Sequence, residues 1–291
     1  MTENVNEATF LYPWFGEPSM AHAKGQNGVS CNPYQRGLRE TMTIQVRACA
    51  LSDVAAIRDQ YRNEMNCQIV HDSIHARAGW SKEYLLEMKG NAVGYGSLAV
   101  AGPWTETHTL YEFYVIEERR QQLFALFEAL LANCNALKIE TQTNDALLTV
   151  MLNTYARNIQ AEAILFRDGF ETALQPQGAS FRARTAKDVE QLKALELDDG
   201  AGWVVTWNGE IAGAGGVLYH YNRPYGDVYM KIAESFRRKG FGAYLVQELK
   251  RECRDSGSAP AARCNVRNEA SRKTLQKAGF VPCGNLVSGE L

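Results

Sequence analysis

Nowhere in the 291 residues do 18 apolar residues follow one another, so no segment is expected to cross a membrane as a helix. The opening MTENVNEATF has no basic start and no apolar stretch, so no secretory signal is expected. An excess of one charge sign is also missing. The net charge of -2 gives no support for a nucleic-acid partner, which calls for a strongly basic domain. The seven cysteines include no CxxC pair, which argues against a zinc site or a secreted disulfide framework and fits a reducing cytoplasm. His71 and His75 stand four apart in HDSIH, but the Glu of HExxH and a third ligand are absent, so no metal is expected.

What is present is ordinary globular composition, 45% hydrophobic and 22% charged, over a length that suggests two domains. Residues 1–41 hold three of the eight prolines and no periodic apolar pattern, and read as an N-terminal extension. From residue 42 onward the chain repeats itself. VRACALSDVAAI at 46–57 matches FRARTAKDVEQL at 181–192, each a strand and a helix with Asp in the first turn, where the helix dipole favours it. EYLLEMKGNAVGYGSLAV at 83–100 matches WVVTWNGEIAGAGGVLYH at 203–220, two apolar runs joined by a turn. Asn208-Gly209 is a strong hairpin signal within it. LYEFYVIEERRQQLFALFEALL at 110–131 matches VYMKIAESFRRKGFGAYLVQEL at 228–249, and a helix ending in Gly-Phe closes each copy, at Gly169-Phe170 and Gly279-Phe280. The order is mixed α/β. It predicts domains over 42–175 and 178–291, joined by the Pro/Gly/Gln stretch TALQPQGA at 172–179.

The stretch Arg237-Arg238-Lys239-Gly240-Phe241-Gly242 stands where a strand gives way to a helix. A helix N-terminus presents unpaired N–H groups and the positive dipole end, and glycines let a phosphate approach them. Three cations add charge. The stretch has neither the Walker pattern nor the dinucleotide fingerprint. Alone it reads also as a simple turn with a solvated end. About twenty residues after that helix starts comes CNVRNEASRKTLQKAGFVPCG, in which Asn268 opens a helix that ends at Gly279.

These two segments resemble the GNAT superfamily of GCN5-related N-acyltransferases. The glycine motif [Q/R]-x-x-G-x-[G/A] is matched by Arg237, Gly240 and Gly242, and N-x-x-[A/S]…G-F by Asn268, Ser271, Gly279 and Phe280. The motifs cover 180–291; residues 42–175 share the pattern of elements alone. The resemblance implies two GNAT-like domains, each with a mixed, mostly antiparallel sheet flanked by helices. It implies acyl-CoA, most simply acetyl-CoA, as donor, and an amine of a small molecule or peptide as acceptor. A homodimer is left open. The amides of Gly240, Phe241, Gly242 and Ala243 would hold the pyrophosphate, beside Arg237, Arg238 and Lys239. Met230, Lys231 and Ile232 would pair with the pantetheine arm. Asn268 would touch that arm or cap its helix, and Ser271 would lie nearby. A bulged strand would supply an oxyanion donor.

The resemblance implies a carboxylate base near the start of this strand, within one residue of Asp227, which otherwise reads as a turn residue of PYGD; Glu234 is nearer the cradle but reads as exposed turn, and Tyr229 and His220 would line the acceptor side or serve as packing or surface residues. Two departures stand out. Many members carry a tyrosine as general acid where this chain has Leu275. In the first copy, Gln122 and Phe124 align with Gly240 and Gly242, so a degenerate domain without CoA is expected there. A CoA-binding module without turnover is the competing reading. Cys264 and the tryptophans 104 and 203 read as packing residues.

Overall fold

The computed structural model describes residues 43–291; the expectations for the extension at 1–41 lie outside the described residues. The first half runs β1 (Ile44–Cys49), α1 (Leu51–Met65), α2 (Asp72–His75), β2 (Ser81–Met88), β3 (Asn91–Ala99), β4 (Thr109–Val115), α3 (Leu123–Asn133), β5 (Lys138–Gln142), α4 (Ala146–Tyr155) and β6 (Arg157–Asp168). The second half runs β7 (Ala179–Ala183), α5 (Val189–Ala194), β8 (Trp203–Trp207), β9 (Glu210–Leu218), β10 (Tyr225–Ile232), α6 (Phe241–Asp255), β11 (Ala259–Asn265), α7 (Glu269–Lys277) and β12 (Phe280–Glu290).

Local chemistry explains the shared plan. Asn208 and Gly209 both take positive φ, 49° and 91°, as the tight turn between β8 and β9 requires. Lys89 and Gly90 do the same between β2 and β3, at 52° and 77°. Asp53 accepts from the Ala50 N–H at 3.2 Å, and Asp188 from the Thr185 N–H at 2.6 Å, each at the start of its helix. Each Asp also pairs with the strand arginine before it, Arg47 at 3.8 Å and Arg182 at 2.7 Å.

The halves share one twelve-stranded sheet, in the order β1-β2-β3-β4-β5-β12-β6-β11-β10-β9-β8-β7. It is antiparallel except where β4 meets β5 and β10 meets β11. The strand after each half's last helix crosses to the other half. β12 pairs with β5, β6 pairs with β11, and the two pair with each other at the centre. The repeated Gly-Phe pairs meet at this crossing, with Phe170 N–H donating to Gly279 O at 2.8 Å. Gly279 has φ 86°, and a Cβ there would stand 2.1 Å from Phe170 O, so glycine is required. Two inner sheet edges, which would be open in separate halves, are thereby consumed.

Separate apolar cores lie within the halves. One gathers Tyr61, Tyr95, Phe113, Phe127 and Leu148, the other Phe166, Val204, Leu245, Leu249 and Phe280. A third cluster, of Ile69, Ala163, Leu165 and Leu286, sits over the crossed strands. The Pro/Gly/Gln stretch is docked on α6. Buried Gln247 accepts from Leu174 N–H at 2.6 Å and donates to Leu174 O at 3.1 Å.

Candidate active site

β10 and β11 pair through three residues, Tyr225–Asp227 against Ala259–Ala261, and then diverge. On its other side β10 stays paired with β9 from Asp227 to Ile232 without a register break. Beyond Asp227, alternate residues of β10 therefore turn backbone N–H and C=O groups into the fork with no strand to meet them. The fork opens into a groove of about 1200 Å³, lined by Met230–Ile232 of β10, the turn Glu234–Gly240, Gly242 and Ala243 of α6, and one side of α7 with its cap, from Asn268 through Ser271 and Thr274 to Lys277.

This groove brings together eleven of the twelve residues placed at the cofactor from sequence: Met230, Lys231, Ile232, Arg237, Arg238, Lys239, Gly240, Gly242, Ala243, Asn268 and Ser271. Phe241 is the twelfth; its side chain is buried in the second core, and its amide remains in the first turn of α6. Gly240 is the N-cap, with φ 90°, and Arg238 also takes positive φ, 62°. The amides of Phe241, Gly242 and Ala243 have no intrahelical acceptor, as at any helix start. A Cβ on Gly242 would press on Thr274 Cγ2 at 3.2 Å, so that glycine also permits α7 to pack against α6.

The three cations differ. Arg237 Nε donates to Ile232 O at 3.3 Å and ties the turn to its strand. The Lys239 ammonium sits 5.0 Å over the Trp207 ring. Arg238 is exposed and has no ion-pair partner among the described residues. Asn268 caps α7, accepting from Ser271 N–H at 3.0 Å. Sequence reasoning missed Thr274 and Lys277 on the groove wall. Helical spacing from Ser271 was the signal, since residues three apart share a face. Leu275 lies in the core, and burial pushes the Cys264 thiol up, as suits a packing residue.

Asp227 and Tyr229 point to the other face of the sheet from α6. Tyr229 pairs with Gly216, and a Cβ there would meet the Tyr229 ring at 3.0 Å; the neighbouring Gly215 instead faces Leu249 of α6. Tyr229 Oη donates to Asp198 at 2.8 Å, and burial together with that carboxylate pushes its pKa up to about 12. Asp227 is buried at the fork, with His220 Nε2 at 3.4 Å and Arg263 Nε at 3.7 Å from its Oδ2. Tyr221 lies between them, its ring edge-on to His220 at 4.0 Å and 5.1 Å from the Arg263 guanidinium, and meets His71 of the first half edge-on at 5.6 Å.

The first half builds no such turn. Val115 lies opposite Gly94 as Ile232 lies opposite Gly213, and Arg120 Nε reaches Val115 O as Arg237 Nε reaches Ile232 O. Further on, Leu130 lies under Gly96 as Leu249 lies under Gly215. Ten residues separate that arginine from that leucine in the first half and twelve in the second. The turn is therefore two residues shorter, and the ungapped match of Gln122 with Gly240 and Phe124 with Gly242 is replaced by a deletion. A 3-10 turn over Glu117–Gln122 runs straight into α3, and Gln122 has φ -100°. Arg120 is clamped to Glu64 at 2.6 Å.

The expected strand bulge is also relocated. It lies in β4, between Ser97 and Leu98 of its partner, and not in β10. Beside it Glu112, 1% exposed, accepts from Arg58 at 2.7 and 2.8 Å and from Tyr95 Oη at 2.9 Å. Burial opposes its charge, yet the Arg58 guanidinium and His75 hold Glu112 well below the usual carboxylate range. The face of the first half that matches the Asp227 and Tyr229 face is thus filled by its own side chains.

His75 contacts Glu83 at 2.9 Å and Glu112 at 3.3 Å. Among the described residues no three His, Cys, Asp or Glu side chains converge as a metal site. Trp104 packs on His71, and Trp203 stacks on Phe181.

Residues 166–280 match the model of the acetyltransferase (GNAT) family. Solved structures share the fold across both halves. A GNAT-family acetyltransferase of Colwellia psychrerythraea aligns over 85% of this chain and 99% of its own, at TM-score 0.66 and 16% identity. A tandem GNAT protein from the clavulanic acid biosynthesis pathway aligns over 85% and 98%, at 0.57 and 13%. A GCN5-related N-acetyltransferase of Sphaerobacter thermophilus aligns over 85% and 95%, at 0.55 and 11%. No curated protein matches. The chain therefore carries a GNAT acetyltransferase domain, placed on a mixed, mostly antiparallel sheet flanked by helices.

Proposed function

We propose that this protein is an acyl-CoA-dependent N-acyltransferase, with acetyl-CoA as donor and a primary amine of a small molecule or peptide as acceptor. The observation that carries this reading is the groove, which joins a positive-φ glycine turn at a helix start to an unpaired strand edge. When bound, acyl-CoA supplies an acyl group already activated as a thioester.

The chain's own residues divide the work. The first-turn amides of α6 and the free Arg238 charge hold phosphate. The open edge of β10 at Met230–Ile232 takes an extended amide chain as an added strand would. An amide of β10 near the fork donates to developing oxyanion charge without a bulge to present it. Helices α6 and α7 cover one face of the fork, so the acceptor reaches it from the Asp227 and Tyr229 face. That face is walled by the first half through His71, which packs on Tyr221. On this reading residues 42–175 are a GNAT-like domain that has lost CoA binding and serves the acceptor side of the domain at 178–291. The free thiols of the described cysteines suit a reducing cytoplasm.

A CoA-binding module without turnover is the second reading, favoured by buried Leu275 at the usual tyrosine position. Incubation with acetyl-CoA and a panel of amines, with released thiol measured, separates the two. Turnover with any amine supports the enzyme. CoA binding by calorimetry without thiol release supports the module. No binding of CoA sinks both.

A further inference from the structure

Three side chains converge at the fork on the face that α6 and α7 leave open: His220, Asp227 and Arg263. Asp227 is fixed by its strand at the last position of β10 paired with β11, so its place relative to the fork is set by backbone. His220 follows β9 and turns Nε2 towards Asp227 Oδ2. That leaves Nδ1 as the unpaired nitrogen of the imidazole. The His220 side chain keeps 32% of its surface exposed, while the Asp227 side chain keeps 11%. The ring cannot swing freely, because Tyr221 packs on it at 4.0 Å and is itself held between Arg263 and His71. An imidazole oriented by a buried carboxylate, with one nitrogen open, is the arrangement that accepts a proton on one side and stabilises the resulting cation on the other.

We propose that His220, positioned by Asp227, takes the proton from the acceptor amine. The inference rests on the acyltransferase reading and divides a role that sequence gave to Asp227 alone: His220 touches the acceptor and Asp227 is a positioning residue. The step balances simply. An N–H bond of the acceptor ammonium breaks, an N–H bond forms at His220 Nδ1, and the imidazolium then passes its proton to solvent. The groups facing the ring are Asp227, Tyr221 and, across Tyr221, Arg263; Glu140 lies beyond, 3.3 Å from His71. The Arg263 charge is balanced by Asp227, which keeps the imidazolium from facing an unpaired cation.

The test uses the whole chain and two variants. His220→Gln should lower kcat/KM for the amine by about 100-fold or more and abolish the fall in rate on the acid side of the pH profile. CoA affinity by calorimetry should stay as in the parent protein, which also shows that the variant folds. Asp227→Asn should lower the rate less. Its loss should fall on kcat, with KM for the amine little changed, a split that a merely structural role would not give. A His220→Gln variant with the parental rate and pH profile overturns the proposal, as does an Asp227→Asn variant with the parental kcat. Failure of the parent protein to bind CoA instead overturns the reading of the groove.

Discussion

At the residue scale, Gly240 and Gly242 do different jobs although one motif names both. Gly240 has room around it, its nearest foreign atom being Pro176 Cγ at 3.8 Å from a would-be Cβ, but its φ of 90° excludes ordinary side chains. Gly242 has an ordinary helical place and little room, with Thr274 Cγ2 at 3.2 Å from a would-be Cβ. Gly240→Gln should therefore shift the turn at a cost of about 1–2 kcal/mol and weaken CoA binding on the order of ten-fold. Calorimetry reads this directly, and an unchanged affinity would show the cradle to lie elsewhere. The glycines and cations of the turn were legible in sequence because a motif and a helix start coincide. The separate partners of Arg237 and Lys239 were not, because Ile232 O and the Trp207 ring are brought to them by folding.

At the scale of elements, helix ends carry the polar chemistry. Asp145 caps α4, accepting from Leu148 N–H at 3.1 Å and from Tyr61 Oη at 2.8 Å. Burial pushes its pKa from 3.8 up to about 6, against those two hydrogen bonds. A raised folded-state value means that its contribution to stability is complete below pH 3.8 and is lost as pH rises through about 6. Asp145→Asn keeps an acceptor for the cap and removes this loss. The variant should gain stability over the parent progressively between about pH 4 and 6, on the order of 2–3 kcal/mol, measured by urea unfolding across that window. Hairpins and caps were readable in sequence, since Asn208-Gly209 and Asn268 act on residues within four positions. The shorter turn before α3 was not: a bulge in β4 offsets part of a deletion, and an ungapped alignment passes across both.

At the scale of the molecule, the exchange of β6 and β12 makes the halves interdependent. Each completes its partner's sheet, and the Ile69–Leu286 cluster exists only with both in place. The chain should therefore melt in one transition, with calorimetric and van't Hoff enthalpies equal. Residues 43–170 and 171–291 expressed singly should fail to give that transition and recover it when mixed after co-refolding. Independent melting of either half would contradict the exchange.

The sequence by itself determined the repeat, the order of elements and the glycine turn before α6. These depend on periodicity, turn chemistry and capping, which act within a few residues of one another. Tertiary structure alone decided that two halves share one sheet, that β10 parts from β11 at Asp227, and that His220, Arg263 and His71 meet there. Such placements follow from strand pairing and packing between residues up to about two hundred positions apart, as with Gln68 Nε2 donating to Ala262 O at 3.2 Å. Side-chain alternation in a strand says that Asp227 and Tyr229 share a face. Which face carries the helices is a matter of packing energy summed over the whole core.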